Sequence, residues 1–491
     1  MKRSPMIRLL AAGLAAAVAG GCGSDPEPSP PPSPSPPPSP TATSDAVPAI
    51  TRQVDAAGDL LTLSVGALVR SGDTVVLTVG TRVDRAASSG AGQIIRRFSA
   101  SGTTTFDGAR LVDTAHRRVH LVAEGDGGCV CSRRVRIGEG ETKPLTAAFA
   151  GVPTDVTTLS VMLPYAGVFA GVPVVDGPAP ADLDLAGAVS LGADLDAYSE
   201  RLDVGLRTRR GSGQVDLDLD TDVLFRVDSA QLTPEAGKTI AAAVEDLRAA
   251  GPGPLTITGH TDDTGSTAHN QELSQQRAES VAKALHLPAA QWPRSVAAKG
   301  ETDPAVPNND AANRARNRRV TVTFKTTKEQ QQKATEVPLP TTDGVRGKAA
   351  EGVEITLPLH RGTVRFTPGP ATRNGAFLQV DLVATAVGTG TATILDFLGQ
   401  GVFTARDEFD PYARYGAAGI RMIAGGSSSF GLDYEVEPGD HRCLCDRLLN
   451  QPIPAGTSQT LSLWFPAPPD GTATVTLDVP DRLRITDIPV R

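Results

Sequence analysis

Residues 259–285 read GHTDDTGSTAHNQELSQQRAESVAKAL. The stretch starts as a strand end, passes through a polar turn and becomes a helix with one charged residue on its apolar stripe. At the helical period, Leu273, Val281, Ala284 and Leu285 fall in one sector, and Arg277 projects into it. A guanidinium there needs an anion, because burying an unpaired charge costs more than neighbouring contacts offset. Asp262, in the turn before the helix, is the nearby candidate for the other half of a two-charge pocket. The anion that meets Arg277 is then a carboxylate of the protein itself or one from a ligand.

Outward from this stretch, residues 213–325 alternate strands with helices. VDLDLD alternates strictly and places Asp216, Asp218 and Asp220 on one strand face; the Gly and distal Glu of a calcium-binding loop do not follow, so this is read as a solvated acidic face. Thr233 is the expected cap of a helix with Pro234 at its first position, and Leu232, Ile240, Val244 and Leu247 supply its inner face. PLTITGH is the next strand, and Asn270 to His286 the second helix, closed by Pro288. SVAAKGE and NRRVTVTF, the latter from Asn317 to Phe324, are the last two strands. The order βαβαββ predicts an α+β domain with helices on one face of a sheet.

On either side the pattern is all β. Short alternating strands separated by Gly-rich and Asp-rich turns fill residues 46–206 and again 347–491. The two regions match each other. Cys129-Val-Cys131 is followed by Leu145, Phe149, Leu163-Pro164 and Val172-Pro173-Val174; Cys443-Leu-Cys445 is followed by Leu461, Phe465, Val479-Pro480 and Ile488-Pro489-Val490. From Leu145 onward the offset is a constant 316 residues, the mark of an internal duplication. The expected architecture is therefore multidomain: a central α+β domain flanked by two duplicated immunoglobulin-like sandwich modules. A polar linker, residues 326–346, precedes the second module. The shared residues are apolar, Pro or Cys, which serves packing and turns and not catalysis.

A chain of 491 residues has room for about three domains. The net charge of −8 argues against nucleic acid as partner, since no basic face is available to replace phosphate counter-ions. Neither C-x-C pair has the second half of a four-ligand zinc site, and only His120 and His441 lie nearby, so no metal or other cofactor is expected. In an exported protein, disulfides are the expected use of Cys129, Cys131, Cys443 and Cys445.

Export is itself predicted. Residues 1–22 carry Lys2, Arg3 and Arg8 ahead of an apolar run, which has the form of a secretory signal peptide and is too short for a comfortable membrane span. Its ending, AGGC, resembles a bacterial lipobox, which implies cleavage before Cys22 and lipidation of its thiol, as with palmitate. Residues 23–45 form a Pro/Ser tract; at about 3.1 Å per residue it is a semi-rigid spacer of about 60 Å.

The central pieces LFRVDSAQLTPEA, TGHTDDTGS, NQELSQQRAESV, KGETDP and ARNRRVTV resemble the OmpA-like domain, the peptidoglycan-binding module of outer-membrane protein A C-termini, peptidoglycan-associated lipoproteins and flagellar stator proteins. The resemblance covers about a fifth of the chain. It departs from the family at Arg226, where an acidic residue is common, and at Asn313, where Gly is usual. It implies a ligand, the diaminopimelate of the peptidoglycan stem, with Asp262 holding its ammonium and Arg277 its carboxylate. Thr261 and Asn270 join the binding set, and Asn317, Arg318 and Arg319 support it. A fork-shaped guanidinium suits a carboxylate bidentately. The implied role is a lipid-tethered protein of the cell envelope that anchors a membrane to the wall, without enzymatic activity: no nucleophile or acid/base pair stands out. The membrane is the outer face of a cytoplasmic membrane if the Ala-, Arg-, Gly- and Pro-rich composition marks an actinobacterium, or the outer membrane of a Gram-negative cell. The alternative is an adhesion or scaffolding protein whose β modules bind protein partners, with the central domain only localising it.

Overall fold

Strict alternation in Gln214–Asp220 sends Val215, Leu217 and Leu219 into the core and leaves Asp216 and Asp218 on the opposite face. The strand is part of a computed structural model that describes residues 48–87, 94–100, 102–211, 213–326, 337–402, 415–437, 439–447 and 450–491. The expected signal peptide, Cys22 and the Pro/Ser spacer lie outside these residues, as do residues 327–336 of the expected linker. Among the described residues no helix is long and apolar enough to cross a membrane.

The central sheet runs Leu206–Arg210, Gln214–Asp220, Arg319–Lys325, Leu255–His260, Arg294–Gly300. All neighbours are antiparallel except the last pair, which is parallel and therefore needs a crossover; the Thr267–Ala284 helix supplies it. With Ala236–Ala250 it covers the face bearing Leu217, Ile257 and Val322. The helix limits shift from the sequence expectation for local reasons. Ser266 caps the second helix, its hydroxyl accepting from the His269 amide at 3.3 Å, so the helix starts at Thr267 and not Asn270. Thr233 accepts from the Ala236 amide at 3.2 Å while donating to the Val223 carbonyl at 2.8 Å, which ties the incoming loop to the helix start.

The acidic face is internally satisfied. Asp218 and Asp216 accept from the hydroxyls of Thr321 and Thr323 at 2.6 and 2.7 Å. Among the described residues no group of three or more His, Cys, Asp or Glu is placed to hold a metal ion.

The flanking regions are extensive β-sheet. Thr142–Ala150 pairs with Thr74–Arg85 as Ser458–Pro466 pairs with Phe377–Val387. The hairpin of Thr158–Leu163 with Gly167–Asp176 corresponds to that of Thr474–Val479 with Leu483–Pro489. These hairpins extend to Arg110–Asp113 and Arg421–Ala424, and those to Arg118–Leu121 and Ser427–Phe430. Cys129 is bonded to Cys131 and Cys443 to Cys445, with Cα separations of 5.3 and 5.2 Å that lie within the bridging range.

The three regions are not independent beads. Leu206, placed by sequence at the end of the first β module, opens a strand of the central sheet and is buried in its core. The preceding strand, Ala193–Arg201, pairs with Leu206–Arg210 and also with Arg118–Leu121, Ser427–Phe430 and Asp433–Glu437. The flanking regions meet in their own apolar cluster, which includes Met162, Phe377, Tyr434 and Trp464. Val47–Arg491 is one compact unit.

Two stability predictions follow from close packing and buried charge. A Cβ at Gly259 would stand 2.0 Å from the Ser274 carbonyl oxygen, so Gly259→Ala forces the helix off the sheet and costs about 1–3 kcal/mol or more, read as a lowered thermal midpoint. Asp446 is buried where the flanking regions meet; burial pushes its carboxyl up to about 7, with the Ser462 amide and Arg110 opposing only part of the effect. A folded pKa above the unfolded value means that the acid form stabilises the fold, and that this contribution is lost as pH rises from about 4 to about 7. Asp446→Asn should flatten the loss of thermal stability across that window, and an unchanged slope would remove Asp446 as its source.

Candidate functional site

The inner face of the Thr267–Ala284 helix is polar at one end and apolar at the other. Asn270, Ser274 and Arg277 are buried in its first part, and Ala278, Val281 and Ala282 beyond them. Leu273, expected on the inward stripe, is half-buried and lines a cleft. The missing side chain at Gly259 explains the rotation, because it lets the helix backbone at Ser274 press directly on the strand. Ser274 then uses its hydroxyl twice, donating to the Gln271 carbonyl at 2.9 Å and accepting from the Gly300 amide at 3.1 Å.

The cleft, of about 730 Å³, is walled by this helix, the 261–265 turn, the segment 221–228 and Arg318. Arg277 is 5 % exposed. Its Nε donates to the Ser229 carbonyl at 3.0 Å, and its guanidinium carbon lies 5.4 Å from the centroid of the Phe225 ring, a cation–π contact. No carboxylate of the described residues forms an ion pair with it. Burial pushes its pKa down, against the opposing pull of Asp222 and Asp228.

Asp262 and Arg277 thus line one cleft, as the resemblance implied, but they are not bonded to each other. The partner of Asp262 is Arg318, whose Nη1 donates to Oδ2 at 2.5 Å, while Oδ1 accepts from the Thr264 amide at 3.0 Å. Burial alone would raise the Asp262 pKa; Arg318 and Thr264 outweigh it and hold the carboxyl below its usual range. Arg318 turns the rest of its fork on Asp222, with Nε and Nη2 at 2.8 and 2.5 Å from the two carboxylate oxygens.

The remaining expected residues divide. Asn270 is buried and donates to the Asp262 carbonyl at 3.3 Å and to Glu301 at 2.6 Å, fixing the turn that carries Asp262. Thr261 lies on the cleft wall; its amide donates to the Gly300 carbonyl at 2.9 Å, and its buried hydroxyl has no hydrogen-bond partner among the described residues. Asn317 accepts from the Val306 amide at 3.0 Å and donates to its carbonyl at 2.6 Å, holding the preceding loop. Arg319 is directed away from the cleft, 3.7 Å from Asp218 in a second pocket against Tyr198 and Phe430. Asp222, Phe225, Arg226, Asp228 and Thr264 also line the cleft or hold its charges, and no role was assigned to them from sequence. All but Thr264 lie in or beside LFRVDS, whose only signal is its likeness to the family pattern. His269 and Asp228 join the two rims at 2.6 Å.

The pattern of the OmpA family matches residues 224–318. The probable lipoprotein YiaD of Escherichia coli is 32% identical over 121 residues, 24% of this chain and 55% of that protein. The peptidoglycan-associated lipoprotein of Pseudomonas aeruginosa is 31% identical over 156 residues, 28% of this chain and 92% of that protein. The chain therefore spans little more than half the length of YiaD and nearly all of the second relative. The solved cell wall anchor of the T6SS from Pseudomonas aeruginosa is 27% identical, covers 25% of this chain and 87% of that one, and has a TM-score of 0.23. Through residues 224–318 the chain belongs to the OmpA family.

Proposed function

We propose that this protein binds peptidoglycan without cleaving it, taking the diaminopimelate of the stem peptide into the cleft of Asp262 and Arg277, and that it anchors the cell envelope to the wall. The observation that carries this reading is the buried Arg277, held by a carbonyl and an aromatic face but by no carboxylate among the described residues. A desolvated guanidinium in that state gains most from a carboxylate that arrives with a ligand. Asp262 shares one oxygen with Arg318, yet a carboxylate has about four lone-pair sites, which leaves room for an ammonium. The free end of diaminopimelate offers that cation and that anion on one carbon. The relative in Pseudomonas aeruginosa named as peptidoglycan-associated supports the ligand class.

In the same reading the flanking regions are two copies of one sandwich module. Their matched strand pairings support this, and their role is spacing or scaffolding. Lipidation at Cys22 would make wall engagement effectively intramolecular and raise its avidity.

Sacculi of the diaminopimelate type test the reading. The protein should co-sediment with them and release no muropeptides. Asp262→Ala and Arg277→Ala, checked for folding by their thermal midpoints, should each weaken co-sedimentation at least about tenfold. Unchanged binding by both variants would refute the site, and muropeptide turnover would refute the non-enzymatic role.

A further inference from the structure

The face of the central sheet opposite its helices carries a second cavity, of about 370 Å³, the size of a small-molecule site. Strand register builds its floor. Glu200 stands opposite Arg207 and Arg207 opposite Asp218, one row across three strands; Tyr198, Arg209 and Asp216 form the next. Asp303, Arg316 and, from the C-terminal flanking region, Phe430 complete the wall. Some of these polar groups are already spent. Asp216 and Asp218 accept from Thr323 and Thr321, and Arg209 pairs with Asp196 at 2.8 Å. Four are not. The side chains of Glu200, Asp303 and Arg316 make no hydrogen bond or ion pair among the described residues, and Arg207 makes one long bond, 3.5 Å to the Arg316 carbonyl. Glu200, Arg207 and Arg316 are half-buried, and burial pushes the Arg316 pKa down. Two carboxylates and two guanidiniums cancel in charge, so the wall selects neither an acid nor a base. It offers strong acceptors beside strong donors, next to two half-buried aromatic rings.

We propose that this cavity is a second binding site, for a neutral saccharide. Each sugar hydroxyl both donates and accepts, which matches Glu200 and Asp303 as acceptors and Arg207 and Arg316 as donors. The apolar C–H face of a sugar ring packs on an aromatic ring, the part taken by Tyr198 and Phe430. Tyr198, Glu200, Arg207 and Phe430 lie outside residues 224–318, so the site belongs to this chain's flanking architecture and not to the matched family pattern. It does not depend on the reading of the cleft. The two sites are nonetheless neighbours: Arg318 lines the cleft and Arg319, the next residue, lines the cavity.

Ligand-observed NMR titrations of the full protein with N,N′-diacetylchitobiose, maltose and lactose test the proposal. At least one should bind. A preference for diacetylchitobiose marks the glycan of the wall as the source, and a preference for maltose or lactose marks another neutral polysaccharide. Glu200→Gln, Arg316→Gln and Phe430→Ala should each weaken that binding about tenfold, and Asp262→Ala in the cleft should leave it unchanged. Phe430 packs against the core of the C-terminal flanking region, so its variant is read only at an unchanged thermal midpoint, and the two polar variants decide otherwise. Binding of none of the three sugars, binding that survives both Glu200→Gln and Arg316→Gln, or binding lost in Asp262→Ala would overturn the proposal. Co-sedimentation with sacculi judges the cleft separately.

Discussion

The fork of Arg318 between Asp222 and Asp262 sets the electrostatics of the cleft. Its reach follows from strand order. Arg318 immediately precedes the Arg319–Lys325 strand, which lies between Gln214–Asp220 and Leu255–His260. Asp222 follows the first of these neighbours and Asp262 follows the second, so three strand ends bring one guanidinium and two carboxylates to the same edge of the sheet. Had Asp262 been left to Arg277, the cleft would hold a closed ion pair. With Asp262 claimed from the sheet side, the helix-borne guanidinium keeps its solvation deficit.

That deficit depends in turn on how closely the helix approaches the sheet. Gly259 allows backbone contact at Ser274, and Arg277 lies three residues further along the same face. A looser helix would let the Arg277 head reach water and recover the hydration that its burial removes. The Phe225 ring and the Ser229 carbonyl fix the guanidinium without neutralising it, so they orient the fork while leaving its charge unspent.

Much of this was legible before the structure. The strictly alternating VDLDLD, the two amphipathic segments and the lone Arg on a helix face define the central elements, and Asp262 and Arg277 picked out from sequence line one cleft. The pairing inside the cleft was not legible, because Asp262 and Arg277 are near in sequence whereas Arg318 is 56 residues from Asp262 and becomes its neighbour only through strand insertion. Segment 221–228 was obscure for a related reason: its Phe and carboxylates acquire roles from what faces them across the cleft. The strand Leu206–Arg210 was not read as a strand of the central sheet: the first module was ended at Leu206 and the central domain begun at Gly213, because LRTRR offers only Leu206 and Thr208 as inward residues.

The shared strand Ala193–Arg201 ties the cleft-bearing sheet to both flanking regions. Its residues 197–201 hydrogen-bond to Leu206–Arg210 of the central sheet, while residues 193–196 and 199–201 are divided among strands of both flanking regions. An unpaired edge there would be a site of non-specific strand addition; pairing it on both sides removes that liability and makes the three regions one unit. A module joined by a flexible linker can rotate freely and transmits little. Here, turning the central domain against its flanks would break sheet hydrogen bonds and expose polar backbone, a cost that rises with each pair lost. The orientation of the cleft is therefore a property of the whole β-rich unit.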